Sequence, residues 1–296
     1  METSLKTRDG TIIEKNKDQE KTLKFLYETF LGRVLLLVLT RRFVSKLCGA
    51  YMDSRFSRAK IKKFVAESKI DMSEYEKSEY FSYNEFFTRK INPQCRPICY
   101  DENVLIAPCD SKVSAYKINS DSIFFIKNTP YTVETLLQNK TLADEYNNGM
   151  CFIFRLCVED YHRYCYFDDG TEIENKFIKG VLHTVNPIAL ERHNIYKTNC
   201  REYTILKTKN FDKAVQIEVG AMMVGKIKNR HLPGTFVRGT EKGWFEFGGS
   251  TIVLLLKKNL VQTDEDIIKN TSENAETIVK MGEKIGTKLD KSRNDN

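Results

Sequence analysis

Between residues 104 and 258 the chain repeats one pattern. Short runs of β-branched, aromatic and aliphatic residues are separated by turn residues. The runs cover residues 113–118, 123–126, 151–157, 177–181, 203–208, 215–219 and 251–256, with Asp168-Asp169-Gly170 and Pro233-Gly234 among the turns. Side chains that branch at Cβ or carry rings pack well on a pleated surface, whereas Gly, Pro and Asp reverse the chain. The pattern predicts a β-rich α+β fold. One helix is expected over residues 136–146, and another over 275–284 in the polar stretch after Leu260.

The N-terminal part reads differently. Residues 1–20 suggest a short strand or a tail. Over residues 22–52 the period becomes helical: Leu23, Phe25, Leu26, Phe30, Leu31, Val34, Leu35, Val38 and Leu39 fill one side, flanked by Lys24, Arg33, Arg41, Arg42 and Lys46. Such an amphipathic helix either lies in a lipid interface or packs on its own domain. Arginines at both ends, with Arg55 and Arg58 beyond, favour the interface. A second helix is expected over 58–68. A third starts near Tyr83 and stops before Pro93 and Pro97, because proline lacks an amide donor.

Residues 21–63 hold 11 Lys/Arg against Glu28 and Asp53, a local charge of +9 that leaves −2 for the remainder of a chain whose total is +7. The basic block seeks an anionic surface, either acidic lipid or nucleic acid. Stacking aromatics do not interleave with it on a basic sheet, so nucleic acid is not the expected partner. The longest unbroken apolar run is six residues, 34–39, where a bilayer-spanning helix needs roughly 20. The polar first nineteen residues do not read as a signal peptide. The eight cysteines are then expected as reduced thiols in a cytosolic compartment, and no Cys/His spacing calls for a metal. The organisation expected is an N-terminal helical, basic, membrane-associating segment (1–70) followed by one β-rich domain (71–296).

The densest motif runs from Gly239 to Leu256 and contains Gly248-Gly249-Ser250-Thr251 between two apolar runs. As a motif alone, a Gly-Gly hairpin turn accounts for it. It also admits chemistry. Glycine leaves its carbonyl open to close approach, so the Ser250 hydroxyl can attack the Gly249 carbonyl and convert the amide to an ester. Elimination at Ser250 then leaves a pyruvoyl group at a new N-terminus.

Gly-Gly-Ser-Thr preceded by Glu241-x-Gly243-x-Phe245 resembles the self-cleavage site of phosphatidylserine decarboxylases. Further blocks agree in order: Glu85-Phe86-Phe87-Thr88-Arg89-Lys90-Ile91 with Arg96-Pro97; Ala107-Pro108-Cys109-Asp110; Asp160-Tyr161-His162-Arg163; Val185-Asn186-Pro187; Asn199-Cys200-Arg201-Glu202; and Val219-Gly220-Ala221 through Gly225. Ser111 stands where the family's Pro-x-Asp-Gly block has glycine.

The resemblance implies a pyruvoyl-dependent, self-cleaving enzyme whose β-rich catalytic domain follows N-terminal amphipathic helices. Cleavage between Gly249 and Ser250 would give a β chain (1–249) and an α chain (250–296) that stay together as a heterodimer, with a further dimer of that pair left open. Phosphatidylserine would form a Schiff base with the pyruvoyl group and leave as phosphatidylethanolamine. The enzyme would sit peripherally on the cytoplasmic side of the cell membrane, bound to anionic phospholipid. Asp110 and Ser250 carry over from the family's Asp-His-Ser arrangement. The family's Tyr-His-Arg-x-His motif departs here, because Cys165 takes the place of the second histidine. Two arrangements are open: His162 takes both roles, or His183, just before the Val185 block, replaces the lost imidazole; an active-site role for His162 is favoured. Cys165 is expected to be a packed thiol. The alternatives are a pyruvoyl decarboxylase of another serine lipid or amino acid, and a non-cleaving relative acting as a membrane-surface protein.

Overall fold

The computed structural model describes residues 4–13, 29, 42–119, 121–126, 129–180, 199–220, 227–231, 234–246 and 250–289. Among these the strands are, in chain order, β1 (Ser4–Lys6), β2 (Ile12–Ile13), β3 (Val104–Ile106), β4 (Ser111–Lys117), β5 (Phe124–Ile126), β6 (Thr129–Tyr131), β7 (Met150–Leu156), β8 (Arg163–Cys165), β9 (Gly170–Ile178), β10 (Arg201–Thr208), β11 (Lys213–Val219), β12 (Ile227–Asn229), β13 (Thr235–Phe236), β14 (Glu241–Phe245), β15 (Ser250–Leu256), β16 (Val261–Thr263), β17 (Ala275–Val279) and β18 (Lys284–Lys288). Ten of them form one sheet in the order β13-β9-β10-β11-β15-β7-β4-β17-β1-β2. Its pairings are antiparallel except for β1 beside β17.

Each face of the large sheet is covered. On one face Phe152, Phe154, Ile252, Leu254 and Leu256 meet Tyr164 and Phe245 of the small sheet β12-β14-β8. Ile285 of the small sheet β16-β18-β3 and Ile267 of the helix Glu265–Ser272 complete that core. On the other face Tyr203, Ile205, Val215, Ile217, Val253 and Leu255 pack against Phe124, Leu136, Leu137, Leu142 and Tyr146. Strand β15 is buried along its whole length. A strand covered on both faces has no reason to alternate apolar with polar, so Ile252 to Leu256 read as an unbroken apolar run.

The second and third N-terminal helices form as expected. The helix Ala59–Ser68 ends where Lys69 turns left-handed at φ 52°. The helix Tyr83–Phe87 is capped by the Ser82 side chain, which accepts from the Glu85 amide at 3.2 Å. These helices pack through Ile61, Tyr80, Tyr83, Phe86 and Phe87. Of the helix expected over 22–52, the described part is Arg42–Asp53; most of the rest lies outside the described residues.

Three expectations are corrected. Residues 275–284 are not helical: Ala275–Val279 form β17, with Ala275, Thr277 and Val279 buried and Glu276 and Ile278 half-buried, which is the period of a strand. The helix of this region is Glu265–Ser272, with Glu265 and Asp266 in its first turn. Residues 136–146 hold two short helices, Val133–Leu137 and Lys140–Asp144, because Gln138 adopts φ 49° and Asn139 caps the second. The strand expected at 177–181 begins earlier: β9 starts at Gly170 and ends at Ile178.

Leu254 makes the sheet's central position testable. Leu254→Ala is expected to cost about 2–5 kcal/mol, as large-to-small changes in a packed core do. Ile268→Ala on an exposed helix face should change stability by only about 0.5 kcal/mol. Urea titration of both variants in a Ser250→Ala background measures the difference. Equal midpoints would remove β15 from the core.

Candidate active site

The register of the large sheet brings distant sequence blocks to one end. Ser250 lies opposite Leu156, the last residue of β7. Lys112, near the start of β4, lies opposite Arg155. Thr251 faces Val219 at the end of β11, and Val219 faces Arg201 at the start of β10. Asp110, the turn that follows Leu156, Asn199, Gly220 and Ser250 therefore share this end. Neighbouring strands lie about 4.8 Å apart, so the start of β4 and Ser250, separated by β7, are about 10 Å apart.

Ser250 is buried, with 1% of its surface exposed. It opens β15 after Gly249, which lies outside the described residues, as does His183. Asp110 is also buried. Its carboxylate accepts from Arg96 Nε at 2.9 and 3.0 Å, from Arg96 Nη2 at 2.7 Å and from the Met281 amide at 2.8 Å. Burial alone would lower the pKa of the Arg96 guanidinium, but the hydrogen bonds and charge of Asp110 outweigh it and raise the value. The two ions leave water together, which is what makes a buried pair tolerable.

His162 is fully buried. Its ring lies against Phe87 with centroids 3.9 Å apart. Nδ1 is 2.9 Å from the Asp160 carbonyl oxygen, and the His162 carbonyl accepts from the Phe245 amide at 3.0 Å. Asp110 and His162 thus belong to one region, but Asp110 is paired with Arg96, Lys280 and the Met281 amide while His162 Nδ1 meets a backbone carbonyl.

The side chain of Asp160 turns the other way. Both its oxygens lie 2.7 Å from Lys112 Nζ, and the Cys157 amide donates to it at 2.6 Å. Burial pushes this carboxyl above the ordinary carboxylate range, and Lys112 pulls it back. Cys157, Glu159 and Asp160 bring a thiol and two carboxylates within 4.8 Å of one another. The ammonium of Lys112 already supplies positive charge there.

A further buried pair was not foreseen from the sequence. Lys242 and Glu218 are both without exposed side-chain surface, at 2.9 and 3.0 Å, with Asn229 also donating to Glu218 at 3.0 Å. The pair ties β14 to β11, whose next strand is β15. Its available signal was a single carboxylate in the otherwise apolar end of 215–219. Gly243 lies beside it: a Cβ there would meet the Lys228 carbonyl at 2.3 Å and the Tyr164 hydroxyl at 2.7 Å. Only glycine permits this approach, which accounts for Gly in the Glu-x-Gly-x-Phe block.

The arrangement offers a buried hydroxyl at the head of a fixed strand, an imidazole whose Nδ1 meets a backbone carbonyl, and a buried carboxylate paired with an arginine. The family model described as phosphatidylserine decarboxylase matches residues 83–287. The chain belongs to the phosphatidylserine decarboxylase family. Among its relatives, phosphatidylserine decarboxylase proenzyme 2 of Clostridium acetobutylicum is 52% identical over 265 residues, 89% of this chain and 91% of the relative. A proenzyme of Clostridium botulinum is 42% identical over 287 residues, 93% of this chain and 97% of the relative. One from Ruminiclostridium cellulolyticum is 43% identical over 277 residues, covering 92% of each. Among the described residues, several of the family's blocks meet in space. Phe87 backs His162, Arg96 grips Asp110, and Glu241 accepts from Arg163 at 2.8 Å.

Cys165, at the family's second histidine position, is buried in the main core, and its amide donates to the Pro108 carbonyl at 2.9 Å. Burial pushes its thiol up to about 12. A thiol needs pH near its pKa to become the reactive thiolate. Cys165 should therefore stay unmodified by iodoacetamide at pH 8 in folded protein and react once the chain is denatured, as peptide mass mapping reads. Labelling in the native state would contradict the packed-thiol assignment.

Proposed function

We propose that this protein decarboxylates phosphatidylserine to phosphatidylethanolamine with a pyruvoyl group made from its own Ser250. The observation that carries the reading is the placement of a buried serine at the head of the central strand, at the sheet end shared with Asp110 and the His162 turn. The relatives' names, phosphatidylserine decarboxylase proenzyme, agree with it.

The residues present fit such a group. Scission before Ser250 would leave β15 paired with both β7 and β11, so the new terminus would stay where the serine was. A pyruvoyl group there supplies a ketone that condenses with the substrate amine and takes up the electron pair released with CO₂. The protein holds the reacting end away from bulk water and moves protons. His162, with Nδ1 committed to a carbonyl, is assigned proton transfer at Nε2; His183 is the second candidate base. Asp110 holds the Met281 amide and so connects residues on either side of the cut. The piece 250–296 contributes β15 and β17 to the large sheet and β16 and β18 to a small one. Two chains interleaved in this way would separate only on unfolding.

The first 70 residues are assigned to the membrane surface. Phe56 is 82% exposed, close in sequence to Arg55, Arg58, Lys60, Lys62 and Lys63. Aromatic rings enter the interface and basic side chains draw acidic headgroups. Among the described residues no helix is long and apolar enough to cross a bilayer, which accords with peripheral binding at the cytoplasmic side of the cell membrane.

Intact-mass spectrometry tests the chemistry. Wild-type protein should give two species, 1–249 and 250–296, the smaller with a keto terminus that borohydride reduces, while Ser250→Ala stays one chain without activity. A single wild-type chain with turnover would refute the cofactor. Replacing Arg55, Arg58 and Lys60 by Gln should weaken sedimentation with phosphatidylserine vesicles on the order of 100-fold at low salt, since each basic residue near the surface contributes ~1 kcal/mol. Unchanged sedimentation would move the membrane contact elsewhere.

A further inference from the structure

Arg89 is 2% exposed, yet among the described residues no carboxylate pairs with it. Its guanidinium lies between the rings of Tyr75 and Phe86, 4.5 and 4.7 Å from their centroids. Its donors reach oxygens of the backbone and one phenol: the Phe86 carbonyl at 3.3 Å, the Tyr75 hydroxyl at 3.2 Å, the Glu159 carbonyl at 3.0 Å and the Asp160 carbonyl at 3.3 Å. The Asp160 carbonyl is the one that engages His162 Nδ1. A buried arginine without a counter-ion is costly, and here it is spent on the turn that carries the imidazole.

We infer that Arg89 is a positioning residue for His162, acting through the Asp160 carbonyl. A carbonyl only accepts, so the 2.9 Å contact requires the proton on Nδ1 and leaves Nε2 as the basic nitrogen of the neutral ring. The guanidinium locks that carbonyl in place and Phe87, two residues earlier, packs on the ring. Sharing the carbonyl with a cation also weakens its support for an imidazolium, and the positive charge itself disfavours one. Arg89 therefore holds His162 in one tautomer.

Among the described residues, the charged groups of the segments next to His162 are paired. Asp160 and Glu159 face Lys112, Arg163 faces Glu241, and Asp110 faces Arg96. Burial raises the pKa values of Cys157, Tyr75 and Tyr161, so these groups stay neutral.

The inference rests on His162 being the base, so the test separates the two. The conversion of full-length chain into its two pieces is followed on denaturing gels from pH 5.5 to 9 for wild type, His162→Ala, Arg89→Ala and Arg89→Lys. His162→Ala should not convert. Arg89→Ala should slow conversion tenfold or more, out of the ~10²–10⁴ that a positioned base contributes. The sign of its pH effect follows from the charge: losing Arg89 raises the pKa of His162, so the acidic limb moves to higher pH. Arg89→Lys, which keeps the cation, should restore the wild-type limb and part of the rate. Nitrogen-15 shifts of the His162 ring in Ser250→Ala protein, where no variant at position 89 need fold, should show a protonated Nδ1 and a bare Nε2 at pH 7.5. An unshifted limb in Arg89→Ala with His162→Ala inert, or an Nε2-protonated ring, overturns the role of Arg89 alone. Normal conversion by His162→Ala overturns the base assignment and this inference with it.

Discussion

Strand β15 is the constraint on which the rest of the structure depends. It is hydrogen-bonded along both edges, to β11 and β7, and covered on both faces by separate cores. A strand so placed cannot shift register without moving every apolar side chain it carries to the wrong face. Ser250 inherits that rigidity as its first residue. The chemistry proposed for this family member requires a serine held against its own preceding peptide, and a fixed strand is the means of holding it.

Charge is handled by a common device around this strand. Arg96 with Asp110, Lys112 with Asp160, Lys242 with Glu218 and Arg238 with Asp168 are pairs largely withdrawn from solvent, each joining two separate segments. Removing either member would strand an ion in the interior, so each pair pins two elements more by the penalty of breaking it than by its net attraction. Two buried arginines depart from the pattern by facing carbonyls. Arg201 closes on the carbonyls of Thr135 and Leu136 at the end of a helix, where the dipole favours a cation. Arg89 closes on the turn before His162.

Much of the fold was legible because its signals are local. The apolar runs at 151–157, 203–208 and 215–219 became β7, β10 and β11 within two residues at each end, and the helix at 59–68 began one residue late. The errors fell where local composition misleads. Residues 275–284 looked polar enough for a surface helix, but Thr277 and Val279 are drawn inward by β4 and β1 on either side. No neighbour-free reading of that stretch contains its partners, which lie more than 150 positions away.

The same division applies to the site. The Gly-Gly-Ser-Thr, Asp-Tyr-His-Arg and Pro-x-Asp blocks, taken with the others in order, carried the resemblance to the family and marked Ser250, His162 and Asp110 as candidates, because reactive groups and permissive glycines are written directly in the chain. What each group touches was decided by the tertiary structure. That Asp110 grips Arg96, that a carbonyl rather than a carboxylate takes the Nδ1 side of His162, and that Glu218 meets Lys242 all depend on strand order and register. These contacts form between elements whose proximity is set by burial of the whole sheet, a property that no single segment possesses.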